Sequence, residues 1–244
     1  MLKKQFPRHQ FHAHGIGFGG EITQPFRAMV ESQGATAIAP TGGFATSTTG
    51  PFNLHDIIRF EHAGSQIAAV EEEDSYDTIV TSRIVGINIL NQFTADEIVA
   101  HLSIKTMKSD SRVKYNTVGS RFVNLRVGGF LLHPVLQQEC DKPCGDGYAQ
   151  GKHNPVYDLS LERGKRPVVS NVTTLVSDLK VPDSCLEAEG NAIHVPEFGI
   201  VYLAEYLVKP YGRQLNMFRF ELGCAARGNG GGAGVGGNGS TTGP

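Results

Sequence analysis

Tryptophan is absent from these 244 residues, and phenylalanine is the commonest aromatic. No run approaches the roughly 18 consecutive apolar residues that a membrane-crossing helix needs, so no membrane span is expected. An excess of charge of one sign is missing too: 22 basic and 24 acidic residues leave a formal charge of −2. A chain dedicated to nucleic acid carries a basic excess or a basic patch, and neither is visible, so no nucleic-acid partner is expected. Lys3, Lys4 and Arg8 form a short N-terminal basic group that reads as a solvated terminus. Gln5-Phe6-Pro7-Arg8-His9-Gln10 is not the apolar stretch of a secretory signal. The sequence is compatible with the cytoplasm or with export by a non-standard route.

Catalytic signatures are lacking as well. There is no G-x-S-x-G elbow, no H-E-x-x-H pair and no P-loop. Gly15-x-Gly17-x-x-Gly20 matches a dinucleotide fingerprint formally, but Pro25 and polar residues follow it instead of a βαβ unit. Those glycines predict close backbone packing. Asp96 and Glu97 are adjacent, so on a strand they diverge and cannot face each other as an acid–base pair. No catalytic residue and no cofactor is assigned. The acidic run Glu71-Glu72-Glu73-Asp74, with Asp77, lacks EF-hand spacing and reads as a solvated loop. Cysteine is scarce: Cys140, Cys144, Cys185 and Cys224. Their spacing does not choose among pairings, and free thiols, a disulfide or a metal held through Cys140-x-x-x-Cys144 are all compatible with it.

Alternation is what the chain does contain. Hydrophobic residues make up 40% of it and charged residues 19%, enough apolar content for a core. A chain of this length can bury about 70% of its extended surface without help from metals or disulfides. In Glu97–Lys105, Ile98, Ala100, Leu102 and Ile104 point one way, and Glu97, His101, Ser103 and Lys105 the other. Period two predicts a half-buried strand. Thr94-Ala95-Asp96-Glu97 also matches a helix capping box, but the alternation continues through Ile104, so the strand is preferred. Further strands are expected over Thr78–Leu90, Arg121–Leu132, Val168–Val176, Gly199–Val208 and Gln214–Leu222. Val201, Leu203 and Leu207 face Ile200, Tyr202, Tyr206 and Val208, which suggests a central strand covered on both sides. Pro210-Tyr211-Gly212 is a turn, so the last two segments should form a hairpin.

The expected fold is all-β, an antiparallel β-sandwich or jelly-roll-like domain over residues 1–227. Ser82–Ile89 echoes Ser120–Val127 at a spacing of 38 residues, which raises a parallel β-solenoid as the alternative. Residues 228–244 hold nine glycines and no charged side chain, and predict a flexible Gly-rich C-terminal tail.

Val85-Gly-Ile-Asn-Ile-Leu90, Phe93–Ala100, Gly119–Gly129, His194–Glu205 and Glu221-Leu-Gly-Cys224 together resemble a group of uncharacterised bacterial proteins. That group is distantly reminiscent of the choice-of-anchor P domains of bacterial surface proteins. The resemblance covers roughly half of the chain and implies an all-β domain. It implies no activity.

His9, His12 and His14 are the candidate metal ligands. On a strand, His12 and His14 share a face, and two imidazoles there could hold zinc, nickel or copper. The function expected is a non-enzymatic structural or binding protein that self-assembles or associates with a cell surface, its partner another copy of itself or another protein. The alternative is a metal-dependent hydrolase using the N-terminal histidines. Strand donation by Met1–Gly20, which carries Phe6, Phe11, Ile16 and Phe18, is the expected route of assembly, with the tail dispensable.

Overall fold

Period-two patterning carries through into three dimensions. A computed structural model of the chain describes residues 9–110, 112–137, 171–182, 186–209, 212–223 and 226–238. These contain no helix. The strands are β1 (His12–Gln24), β2 (Ala28–Gln33), β3 (Thr36–Ala37), β4 (Gly43–Thr49), β5 (Phe52–Leu54), β6 (Ile58–Phe60) and β7 (His62–Glu71). Then come β8 (Ser75–Ile89), β9 (Phe93–Met107), β10 (Val113–Asn116), β11 (Arg121–Val123), β12 (Arg126–Val127), β13 (Phe130–Leu131) and β14 (Val135–Leu136). The remainder are β15 (Asn171–Thr174), β16 (Val176–Asp178), β17 (Glu187–Glu189), β18 (Ala192–Val195), β19 (Gly199–Lys209), β20 (Gly212–Gly223) and β21 (Arg227–Asn238).

Sheet A runs β17-β18-β19-β20-β21-β1-β2, with β15 on β19 and β3 on β1. Sheet B runs β13-β12-β9-β8-β6-β5, with β10 and β11 on β9, β7 on β8, and β4 on β7. The strands of both sheets pair antiparallel, and β14 pairs with β16 apart from them. The sheets pack face to face around one apolar cluster. Phe18 of β1 stacks on Phe218 and Phe220 and meets Phe60 of sheet B at 5.8 Å. Phe93 of β9 stacks on Phe218 at 4.9 Å. The all-β antiparallel expectation holds.

The solenoid alternative does not. Arg121–Val123 and Arg126–Val127 turn back antiparallel on β9, hydrogen-bonded beside Glu97–Val99 and Phe93–Thr94, instead of stacking as a second coil. The strand expected over Arg121–Leu132 is broken at Asn124, whose φ of 50° lies in the left-handed region. Val168–Ser170 lie outside the described residues, and β15 and β16 occupy the rest of that expected strand and its continuation. The β19–β20 hairpin forms with Gly199 opposite Leu222 and Lys209 opposite Gly212.

Two expectations about the ends are corrected. Residues 228–238 are not a flexible extension: β21 lies between β1 and β20 and pairs with both over nearly its whole length. Glycine supplies no apolar side chain there, but the neighbouring strands do. The Phe218 and Phe220 rings lie against Gly232 and Gly230 on the core side. Residues 239–244 lie outside the described set. The expected donor segment Met1–Gly20 is placed within the chain's own sheet as far as it is described, Met1–Arg8 lying outside the described residues. From His12 onward it is β1, paired with β2, β3 and β21 of its own chain, with Phe18 and Ile22 fully buried.

The glycines of β1 act as expected. A methyl group at Gly15 would lie 2.7 Å from Ser65 Cβ, and one at Gly17 would lie 2.8 Å from Ala63 Cβ. Small residues let the sheets approach closely here, and the Ser82 hydroxyl donates across the gap to the Ile16 carbonyl at 2.6 Å.

Sheet A carries a transverse break in its alternation. In β20, Leu215 and Met217 are buried, then Phe218, Phe220 and Leu222. The same one-residue change of phase occurs at Gly17–Phe18 of β1, Gly232–Ala233 of β21 and Leu203–Ala204 of β19. Ala204 and Ala233 reach it through left-handed φ angles of 47° and 46°. Because β19, β20, β21 and β1 shift together, the register among them is the same on both sides of the break, whereas β2 changes register against β1 between Phe18 and Gly20. The break places Tyr206 in the core with Val201 and Leu203, so much of the two-faced apolarity of β19 is a change of phase. Leu207, on the other face, is also buried.

Candidate functional site

The outer face of sheet B and its open edge form the candidate site. β4 pairs with β7 on one side and with no described strand on the other. Its seven residues, GFATSTT, carry no charge. Edge strands are normally blunted by charge, proline or shortness. Other described edges follow that rule: β2 carries Glu31, β10 Lys114, and β17 Glu187 and Glu189, while β5 and β13 have three and two residues. β4 has none of these protections.

An apolar row leads inward from that edge. The pairing sets Phe44 beside Ala68, Ala68 beside Ile79, and Ile79 beside Ser103. Phe44 is 68% exposed, and Ile79 and the neighbouring Val70 are each 46% exposed. The next row outward is Thr46, Gln66, Thr81 and His101. Thr81 Oγ1 lies 3.1 Å from His101 Nδ1, and burial pushes the His101 imidazole below its ordinary value.

Charged side chains on this face are held in ion pairs. Glu97 accepts hydrogen bonds from Arg83 Nε at 2.5 Å and from Arg121 Nη2 at 2.6 Å. Burial pushes the Glu97 carboxyl up, but the two guanidinium groups outweigh it and hold the group below its usual value. Lys108 pairs with Glu71 at 2.8 Å and Lys105 with Asp77 at 3.5 Å. Glu71 to Asp74 of the expected acidic loop are all exposed, but Glu71 ends β7 and Asp77, half-buried, belongs to β8.

On sheet A, a groove of about 650 Å³ lies over β21. Its floor is glycine, with Asn216, Arg219, Glu221 and Asn229 among its walls. Arg219 donates Nε and Nη2 to Glu205 at 2.9 and 3.0 Å and Nη1 to Glu221. Its guanidinium lies 3.7 Å over the Tyr202 ring. Glu205 is 2% exposed and Arg219 11% exposed, so the cluster braces the hairpin with its cation engaged. Burial, reinforced by Glu221, raises the Tyr202 hydroxyl against the opposing effect of Arg219.

The three candidate metal ligands divide. His12 and His14 share the outer face of β1 as the alternation predicts, both exposed. His9 is buried instead, stacked on Tyr76 at 4.1 Å and edge-on to Phe11 at 4.8 Å. Among the described residues, no group of three His, Cys, Asp or Glu side chains is placed to hold a metal ion. All four cysteines lie outside those residues. Burial lowers the His9 imidazole, Glu71 opposes that and His12 adds to it. The unfolded chain therefore takes up a proton at His9 before the folded one does. The stability this ring contributes is full above the unfolded value of about 6.5 and declines as pH falls below it. We expect melting temperature to drop between pH 7 and pH 5, and His9→Phe to reduce that drop in thermal melts. His101 titrates in the same direction and keeps the variant from being flat. A variant as acid-sensitive as the parent would remove His9 from this role.

Sequence reasoning missed β4. Its one signal was the spacing Phe44-x-Thr46-x-Thr48 between Gly42-Gly43 and Gly50-Pro51. The Arg219–Glu205 brace links residues 14 apart and needed the hairpin register to be seen.

Comparison with curated proteins finds no match, and comparison with solved structures finds none. A family model described as a domain of unknown function, DUF8256, matches residues 9–162. That fits the resemblance to an uncharacterised group and gives no support to the likeness to choice-of-anchor P domains. The matched segment holds every strand of sheet B and β1 to β3 of sheet A. With the match spanning more than half of its length, the chain belongs to the DUF8256 family of domains of unknown function.

Proposed function

We propose that this protein is a non-enzymatic structural protein that self-associates through the open edge of sheet B. The observation that carries the reading is β4, a seven-residue edge strand without a charge that itself carries the exposed Phe44. Unpaired backbone donors and acceptors along such an edge recruit another strand. The route differs from strand donation by the N-terminus, because β1 is committed within its own sheet. A metal-dependent hydrolase would need a third ligand that the described residues do not bring to His12 and His14.

A second reading, that sheet A binds a polar ligand, is favoured by the groove over β21. Its amide, carboxylate and backbone groups offer hydrogen bonds, while Arg219 is already engaged by two carboxylates.

Light scattering over a wide concentration range tests the first reading. The full chain should move from the mass of one chain to that of two as concentration rises. Phe44→Lys should shift that transition to higher concentration by about tenfold, the equivalent of about 1.4 kcal/mol, and should melt like the parent because Phe44 is exposed. A full chain that stays monomeric throughout overturns the reading.

A further inference from the structure

We infer that two copies of the chain pair β4 with β4, antiparallel about a two-fold axis at Thr46, into a closed dimer. This rests on the self-association reading and adds the partner, the register and the closure. The partner edge must be free, long and uncharged, and among the described edges β4 itself fits best. Charged edges such as β2, β10 and β17 would bring Glu31, Lys114 or Glu187 beside a strand with nothing to neutralise them. A two-fold axis perpendicular to the sheet makes the two strands antiparallel and uses the same patch on both copies.

Register follows from length and alternation. Thr46 is the midpoint of Gly43–Thr49, so an axis there pairs the strand along its full length. A slip that keeps outer faces matched must preserve the two-residue period, and it leaves residues at both strand ends unpaired. With the axis at Thr46, Phe44 of each copy lies opposite Thr48 of the other, and Thr46 meets its own equivalent. No charged side chain of β4 enters the contact. Each dimer consumes both β4 edges, so this contact does not propagate into a filament. A seven-residue pairing with one aromatic a side belongs at the small end of protein interfaces, so the dimer is weak and reversible.

Charge complementation at the axis tests it in the full chain. Thr46 is exposed, and Thr46→Lys or Thr46→Glu alone places like charges against each other. Each variant should weaken the dimer by about tenfold. An equimolar mixture of the two should restore association, as measured by sedimentation velocity. Independently, backbone amides of β4 in the unmodified protein should exchange hydrogen more slowly as concentration rises. If the unmodified chain dimerises but the mixture associates no better than either variant, or β4 exchange ignores concentration, the inferred contact is wrong while self-association stands. If the unmodified chain never dimerises, the underlying reading itself has failed.

Discussion

A chain ended at Arg227 should lose cooperative unfolding and its near-ultraviolet circular dichroism. β21 runs from Arg227 to Asn238 and fills the space between β1 and β20. Its removal strips the ladder from both neighbours along their length, from Ile22 to His12 and from Leu222 to Arg213. It also opens one face of the core over Phe18, Phe218 and Phe220, all fully buried. Burying one such side chain is worth about 1.5–3 kcal/mol. Three of them approach the net stability of an ordinary domain, about 5–15 kcal/mol. Ala233 and Val235, also buried, are lost with them. A chain ended after Asn238 keeps every described strand and is the control. If the shorter chain melted at the temperature of the control, the placement of β21 in the sheet would be wrong.

Gly232→Ala should destabilise the protein by about 1–3 kcal/mol, the usual cost of overpacking, while Gly234→Ala should stay within about 0.5 kcal/mol of the parent. The two glycines are two residues apart, on opposite sides of the phase break. A methyl group at Gly232 would lie 2.5 Å from the Gly17 carbonyl oxygen and 2.9 Å from Phe218 Cζ. The first is backbone of a paired strand and the second a ring held in the core, so neither yields cheaply. At Gly234 the nearest atoms are Asn216 Oδ1 at 3.1 Å and Ile16 Cγ2 at 3.7 Å. An amide side chain at a half-exposed position can move by the few tenths of an ångström required. Alanine also lowers the conformational entropy lost on ordering a strand glycine, an offset of about 0.5–1 kcal/mol. Urea midpoints for the two variants give the comparison. Equal midpoints would mean that the Phe218 ring does not pin β21.

Local alternation was legible wherever side chains themselves carried it. Ile98, Ala100, Leu102 and Ile104 are all buried in β9, against Lys105 exposed, and the capping box at Thr94–Glu97 starts no helix. Period two over a dozen residues outweighs a four-residue capping signal, because each buried side chain contributes through the core. The β19–β20 hairpin was legible for the same reason, with two alternating runs on either side of Pro210-Tyr211-Gly212. Close packing at Gly15 and Gly17 followed from the lack of a side chain.

The site was far less legible than the fold. Three histidines within six residues looked like one cluster, yet odd and even positions of a strand part company. His9 follows Phe11 inward, and His12 and His14 face outward. The exposure of β4 depends on which strands lie beside it, a matter of topology that no window of Gly43–Thr49 contains.

The sequence by itself determined an all-β chain, the antiparallel hairpin near its end and the inward set of β9. These rest on contacts between residues close in the chain or on a period that one strand displays alone. Tertiary structure alone decided that the glycine-rich segment is a central strand, that β1 lies within its own sheet and that β4 has no second partner among the described strands. Apart from Ala233 and Val235, β21 holds no apolar side chain of its own. It is ordered here because the Phe218 and Phe220 rings of the adjacent strand cover it and because β1 and β20 satisfy its backbone from both sides.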